Sequence, residues 1–111
     1  MKRNKDFRQV YRRGESRANP KLVLIYKKNH KGGIHVGISA SKKLGNSVVR
    51  NRVKRRLRES FSPVIPCVKD GYDFIFIARE PIVDAKFTDI GDAVLNLLRR
   101  ADLLKKEEKR L

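Results

Sequence analysis

A cationic segment between Ser41 and Glu59 holds the residues whose types and spacing best support chemistry. Arginine guanidinium groups pair with phosphate oxygens through two parallel hydrogen bonds, and they stay charged at any physiological pH. Asn51 lies among them, and its amide can bond a base edge, a ribose hydroxyl or a metal-bound water. No acidic residue interrupts the segment before Glu59. The residues expected to bind a polyanion are Lys42, Lys43, Arg50, Asn51, Arg52, Lys54, Arg55 and Arg58.

The spacing of apolar residues predicts that this segment forms a helix with two unlike faces. At about 100° per residue, apolar side chains recur at every fourth position from Val49 to Phe61 and form one stripe. This stripe is expected to enter a protein core, while the opposite face meets the polyanion. A solvated basic face without a specific ligand is disfavoured by the density of arginines. The opposite face carries Asn51, Lys54, Arg55 and Arg58.

A second group of residues combines aromatic rings with cations near the N-terminus. Phe7 and Tyr11 are four residues apart and share one face of a predicted helix. Rings interleaved with cations bind single-stranded nucleic acid, because bases stack on the rings while the cations follow the backbone. Packing of both rings against a sheet is an equally good interpretation at this point. The candidate contacts are Phe7, Arg8, Tyr11, Arg12 and Tyr26.

The sequence lacks a recognisable arrangement of catalytic residues. None of the 12 acids pairs with a histidine or another acid in a known motif, and KKLGNS does not match a phosphate-binding loop. His30 and His35 have no ligand spacing that indicates a metal site. Cys67 is the single cysteine, lies in an apolar run and is expected to be buried or half-buried. We therefore expect no catalytic side chain and no organic cofactor.

Positive charge is concentrated in the first half of the 111 residues, which have a formal net charge of +16. Residues 1–58 carry 19 lysines and arginines and 2 acids, whereas residues 59–111 carry 9 and 10. A field of this kind attracts phosphate backbones or anionic lipid. The length predicts one domain over 1–111 with a frayed tail over 105–111. No apolar run is long enough to span a membrane, and we expect a cytoplasmic protein.

The apolar patterning predicts an α+β domain with a mostly antiparallel sheet. Asn4 is expected to cap the first helix, Gly14 to end it in a left-handed conformation, and Asn46 to cap the basic helix. The turn residues between the first two strands predict a hairpin, and apolar residues on both faces of the third predict a central strand. The elements are a helix over 4–13, strands over 22–28 and 34–40, a helix over 46–61, a strand over 72–79 and a helix over 88–104.

The segment VGISASKKLGNSVVRNRVKRRLRESF closely resembles the signature of the bacterial ribonuclease P protein family. The family's Arg-Asn-Arg pattern lies at 50–52, and its Ser-Lys-Lys-x-Gly-Asn lead-in begins at Ser41. The N-terminal DFRQVYRRG is similar to the family's first helix, with Phe7 and Tyr11 at its two cleft aromatics. The resemblance extends over essentially the whole chain.

This resemblance implies a protein subunit of a ribonucleoprotein endonuclease. In this family a catalytic RNA with bound Mg²⁺ hydrolyses precursor tRNA, which releases the 5′ leader and leaves the mature 5′ end. The basic helix would face the catalytic RNA and assist metal binding, with Asn51 as an indirect metal contact. We also expect no membrane contact, because the stripe from Val49 to Phe61 is expected to enter the core and lacks tryptophan, and we expect no obligate protein partner. The residues expected to bind the leader, in a cleft between the first helix and the sheet, are Phe7, Arg8, Tyr11, Arg12, Tyr26 and Ser39.

The fold implied by the resemblance is an αββαβα two-layer sandwich with a mixed sheet and a left-handed βαβ crossover. Such a crossover is unusual, since about 98% of them are right-handed. Two departures from the family pattern are expected to weaken RNA contacts, namely the short basic arm before Phe7 and the acid at Glu80. One alternative is a non-enzymatic RNA-binding protein, such as a small ribosomal component, which would not need an aromatic cleft. A DNA-binding helix is disfavoured, because the basic helix follows a strand rather than a partner helix.

Overall fold

The computed structural model describes residues 4–105, apart from the side chains of 4–6 and of Arg8. Within this range the chain forms an α+β fold, as the patterning predicts. Three short 3₁₀ segments connect the elements, at Lys42–Leu44, Ser62–Cys67 and Glu80–Asp84. The helices and strands are α1 (Asn4–Arg13), β1 (Glu15–Ala18), β2 (Leu22–Lys28), β3 (Ile34–Ser39), α2 (Ser47–Phe61), β4 (Tyr72–Ala78) and α3 (Phe87–Arg100).

The four described strands form one mixed sheet in the order β1-β2-β4-β3. β2 pairs antiparallel with β1 and with β4, whereas β3 pairs parallel with β4. The connection between the parallel pair contains α2, so the basic helix lies in a βαβ crossover. The left hand of this crossover, which the resemblance implies, stays a prediction.

Strand pairing differs from the sequence prediction in two places. The predicted hairpin between β2 and β3 is wrong, because β4 lies between them and pairs with both. β4 is therefore a central strand, as its apolar residues on both faces predict. β1 was not predicted, because its four residues, Glu-Ser-Arg-Ala, are mostly exposed and carry no apolar alternation.

The main core lies between one face of the sheet and the helices α2 and α3. Phe61 of α2 packs edge-on against Phe74 and Phe76 of β4, with ring centroids 5.9 and 5.2 Å apart. A second, smaller cluster on the opposite face joins Phe7 and Val10 of α1 to residues of the central strands. α1 thus adds a partial third layer to the expected two-layer sandwich.

The ends of α1 and α2 follow local capping rules, with one correction. The Asn46 side chain accepts a hydrogen bond from the Val49 amide at 3.0 Å, which confirms the predicted N-cap of α2. Gly14 ends α1 but does not adopt the left-handed conformation, and the chain continues directly into β1. Glycine is required there because an added Cβ would lie 2.8 Å from the Tyr26 carbonyl oxygen.

The C-terminal part of the structure also differs from the sequence prediction. α3 ends at Arg100 rather than at 104, because Asp102 has a φ of 60° and the Leu103 amide turns back to the Leu98 carbonyl. Cys67 is exposed, so the expectation of a buried thiol is wrong. The residues of the predicted frayed tail beyond Lys105, and the side chain of Asn4, lie outside the described part. No helix within 4–105 is both long enough and apolar enough to cross a bilayer.

Candidate nucleic-acid interface

The apolar stripe of α2 fixes the orientation of its basic face. Val53, Leu57 and Phe61 are no more than 3% exposed and belong to the main core. Burial of three successive turns of the stripe leaves the helix no freedom to rotate, so the opposite side chains must face outward. The prediction of a helix with one core face and one cationic face is confirmed in its geometry.

The predicted polyanion-binding residues all lie in and just before α2, with different degrees of exposure. Lys42 and Lys43 are exposed on the 3₁₀ segment that leads into the helix. The ion pairs recorded within residues 4–105 join Arg17 to Glu15 and Lys69 to Asp102, and neither involves α2. The helix therefore keeps its positive charge available for an external anion. Asn51, Arg55 and Arg58 are exposed, whereas Arg50, Arg52 and Lys54 are half-buried.

Two arginines of α2 are held by backbone carbonyls of the chain itself. Arg50 donates from Nε to the Gly45 carbonyl at 3.3 Å, which ties its guanidinium to the start of the helix. Arg56 donates to the Ala85 carbonyl at 3.4 Å, and its stem covers the edge of the core. Arg56 therefore serves packing more than anion binding.

The side of the sheet covered by α1 forms the second candidate surface. Pairing register places Val23 of β2, Ile77 of β4 and Ser39 of β3 in one row across the sheet on this side. All three residues are half-buried, so α1 covers this row only in part. Ser39 is therefore positioned beside the predicted cleft.

The aromatic residues of α1 have different surroundings. Phe7 is 7% exposed and packs with Val10 and Ile75, which favours the core-packing interpretation left open for this ring. Tyr11 is 51% exposed, and helical spacing places it about 40° around the helix from Phe7. Arg12 is exposed, whereas the Arg8 side chain lies outside the described part. Tyr11 thus offers an accessible ring for stacking at this surface, whereas the same spacing places Arg12 about 140° around the helix from Phe7, on the outer side of α1.

Tyr26 does not join this surface. It alternates with Leu22 and Leu24, and these side chains belong to the main core on the opposite face of the sheet. Its hydroxyl donates to Glu15 Oε1 at 3.2 Å, and Arg17 lies over its ring at 5.9 Å. Burial raises the pKa of Tyr26, an effect that Arg17 partly offsets. The prediction that Tyr26 contacts the same ligand as Tyr11 is wrong, because side chains on alternate positions of a strand point to opposite faces.

The end of β3 connects the two candidate surfaces. Ser39 lies on the side of the sheet that faces α1, and Ser41 follows two residues later at the start of the lysine-bearing 3₁₀ segment. The Ser41 hydroxyl accepts a hydrogen bond from the Lys43 amide at 3.3 Å, which orients this segment. A polyanion that leaves the α1 side at β3 would therefore meet Lys42 and Lys43 before α2.

The described residues do not include a cluster of three or more His, Cys, Asp or Glu side chains suited to a metal ion. Asn51 is exposed and surrounded by cations on its own helix. Sequence reasoning missed one feature nearby, an apolar groove between α2 and β3. It joins residues distant in the chain, and no local pattern marks it.

Comparisons with known proteins agree on one family. The family model described as Ribonuclease P matches residues 1–102. The Ribonuclease P protein component of Clostridium botulinum is 46% identical over 104 residues, which cover 93% of this chain and 94% of that protein. The corresponding protein of Clostridium novyi is 47% identical over 105 residues, with 93% of each chain covered.

Solved structures give the same result. The RNase P protein of Staphylococcus aureus matches with a TM-score of 0.84 and 36% identity, covering 95% of this chain and 96% of that one. The RNase P protein of Thermotoga maritima matches with a TM-score of 0.82 and 28% identity, covering 90% and 94%. The mixed sheet and its three helices are thus the fold of these proteins. The alternative of a small ribosomal component is not favoured.

Proposed function

The chain belongs to the ribonuclease P protein family, the protein part of an RNA-containing endoribonuclease, and we propose that its two surfaces divide the RNA partners between them. The α2 face binds the catalytic RNA, and the α1 side of the sheet binds the 5′ leader of precursor tRNA. The RNA carries out the cleavage. The whole chain, 1–111, acts as one RNA-binding domain in the cytoplasm.

The cationic face of α2 is the observation that carries this proposal. Its arginines and lysines project from a helix whose other side is locked in the core, and no recorded ion pair within 4–105 neutralises them. Because the helix backbone is fixed by the core, these cations can bind RNA phosphates without rearrangement of the main chain, and binding releases condensed counterions. The contacts proposed for the catalytic RNA are Lys42, Lys43, Arg50, Asn51, Arg52, Lys54, Arg55 and Arg58.

Leader binding is proposed for the accessible part of the α1 side. Tyr11 supplies a ring on which a base can stack, and Ser39 supplies a hydroxyl on strand β3. Arg12 supplies charge from the outer side of α1, where it would follow the leader backbone. Phe7 supports this surface from beneath by fixing α1 on the sheet. The side chain of Arg8 keeps its proposed role, although it lies outside the described part.

Mg²⁺ is proposed to be held mainly by the RNA. Mg²⁺ prefers carboxylate, phosphate and water oxygens, and the described residues hold no carboxylate cluster near α2. The cations of α2 would lower the repulsion between RNA phosphates and so help the RNA bind its metal ions. Asn51 would act indirectly by accepting a hydrogen bond from a metal-bound water.

Reconstitution with the catalytic RNA tests this proposal. The protein is expected to lower the Mg²⁺ concentration required for cleavage and to tighten binding of leader-bearing precursor relative to mature tRNA. A catalytic RNA that needs the same Mg²⁺ concentration with and without the protein, and binds both substrates equally, would refute it. Copurification with ribosomal subunits instead of this RNA would support the alternative role.

A further inference from the structure

An apolar groove lies beside the basic face, where α2 crosses the edge strand β3. Its volume is about 520 Å³, within the range of about 300–1,000 Å³ typical of small-ligand sites. Val36 and Ile38 of β3, Phe61 of α2 and Ile65 of the following 3₁₀ segment supply its apolar lining. Three polar side chains of α2 also line the groove, namely Asn51, Lys54 and Arg58.

The groove is open because β3 forms an edge of the sheet. Val36 and Ile38 of β3 are half-buried, whereas Leu24 and Phe76 on the same face of the inner strands are fully buried. α2 and α3 therefore seal the middle of this face but leave Val36 and Ile38 partly accessible. Since such apolar surface is unfavourable in water, a ligand with an apolar face would bind there.

We propose that this groove binds a single unpaired nucleotide of the RNA partner, with the base against the apolar lining and its phosphates on Lys54 and Arg58. The inference rests on the proposed function, because it assumes that RNA lies along α2. It assigns to that RNA a base-binding site in addition to phosphate contacts.

Continuity with the basic face selects RNA as the occupant. Asn51, Lys54 and Arg58 belong to both surfaces, so a strand that follows the phosphate-binding cations passes over the mouth of the groove. A nucleotide would satisfy the two cations through its phosphates, and its base edge could pair with the donor and acceptor of Asn51. A bare phosphate would leave the apolar lining in contact with water.

The chemistry of a nucleotide fits this arrangement. A base unstacked from its neighbours exposes two apolar π faces, and RNA-binding proteins bind such bases between apolar or aromatic side chains. Its polar edge then points toward Asn51 at the rim. Lys54 is half-buried and lines the groove, so its ammonium group can reach a phosphate at the groove. The sugar-phosphate chain remains outside with the exposed Arg58.

A groove-filling substitution tests the proposal without removing any cation. Ile65→Trp is expected to weaken binding of the full chain to the catalytic RNA about tenfold, with an unchanged slope of log K against log salt. Val64→Trp is the matched control, because Val64 is the preceding half-buried residue and does not line the groove. It is expected to bind nearly as the wild type.

An NMR titration of the wild-type chain with a short oligoadenylate gives a readout that does not depend on how the variant folds. Cross-relaxation between adenine ring protons and the methyl groups of Ile38 and Ile65 is expected.

Absence of these contacts would overturn the groove assignment and leave the proposed function intact. Wild-type RNA affinity in folded Ile65→Trp, while Arg55→Ala weakens binding, would do the same. No binding of the wild-type chain to the catalytic RNA would overturn the proposed function as well. Binding of an acidic peptide at these methyl groups in place of oligoadenylate would assign the groove to a protein partner and overturn the proposal.

Discussion

The ring of Phe7 lies directly against the backbone of Gly37. A Cβ added at Gly37 would come within 3.1 Å of the Cε2 and Cζ atoms of this ring. Gly37 pairs with Ile75 of β4, and Ile75 also contacts Phe7, so one ring spans two neighbouring parallel strands. The glycine creates the space in which α1 docks on the sheet. Phe7 is therefore the anchor that holds α1, and with it Tyr11, on this surface.

Replacing Phe7 by alanine is expected to destabilise the fold. Loss of a buried phenylalanine side chain typically costs about 3–5 kcal/mol, because transfer energy is lost and a cavity remains. Urea unfolding of the variant measures this change. Tyr11→Ala is the matched control on the same helix, and its effect on stability is expected to be about 0.5 kcal/mol or less, since Tyr11 is 51% exposed. Equal stability of the two variants would show that Phe7 does not anchor α1.

Much of the secondary structure could be predicted because it depends on local periodicity. The stripe from Val49 to Phe61 placed α2, and Asn46 marked its start through a hydrogen bond three residues away. The hairpin prediction failed because strand pairing is not local, and β4 pairs with β2 and β3 from more than 30 residues away in sequence. The exposed strand β1 has no apolar alternation to reveal it.

The sequence predicted which residues form the candidate site better than it predicted where their side chains lie. The orientation of Tyr26 could have been predicted from the sequence, because its alternation with Leu22 and Leu24 already placed its side chain on the core face. The burial of Phe7 could not be predicted from the sequence, since it depends on Gly37 in a strand about 30 residues later. The groove beside α2 combines β3, α2 and the 3₁₀ segment, and its contacts exist only in the folded chain.

Replacing Tyr11 by alanine is expected to weaken binding of leader-bearing precursor by roughly 5- to 150-fold, the effect of losing one base stack. Binding of mature tRNA should change little, because it lacks the leader. Competition binding with both substrates measures the difference. Tyr11→Phe keeps the ring and is the control, so it is expected to retain most of the discrimination. Equal losses for both substrates in Tyr11→Ala would remove Tyr11 from the leader site.

The raised pKa of Tyr26 predicts that the free energy of unfolding depends on pH in the alkaline range. Burial raises its pKa in the folded chain above the ordinary value of 10.0, so the unfolded chain loses this proton at lower pH than the folded chain. The stabilisation is therefore fully present below about pH 10 and is lost as pH rises through the folded pKa. The free energy of unfolding of the wild type should fall more steeply above about pH 10 than that of Tyr26→Phe. Parallel pH profiles would show that the hydroxyl ionises equally in both states.

Replacing Arg55 by alanine is expected to weaken binding of the catalytic RNA and to reduce the slope of log K against log salt by about one unit. Arg55 is exposed at the centre of the α2 face, so its guanidinium can reach a phosphate without rearrangement of the core. Arg52→Ala should act in the same direction, although Arg52 is half-buried. Arg99→Ala removes an exposed arginine from α3, and its effect on the salt slope should be negligible. Binding titrations over a series of KCl concentrations measure all three slopes.

If Arg55→Ala keeps the wild-type slope, this arginine does not contact phosphate. If Arg99→Ala lowers the slope as much as Arg55→Ala does, the RNA senses only the overall charge of the chain.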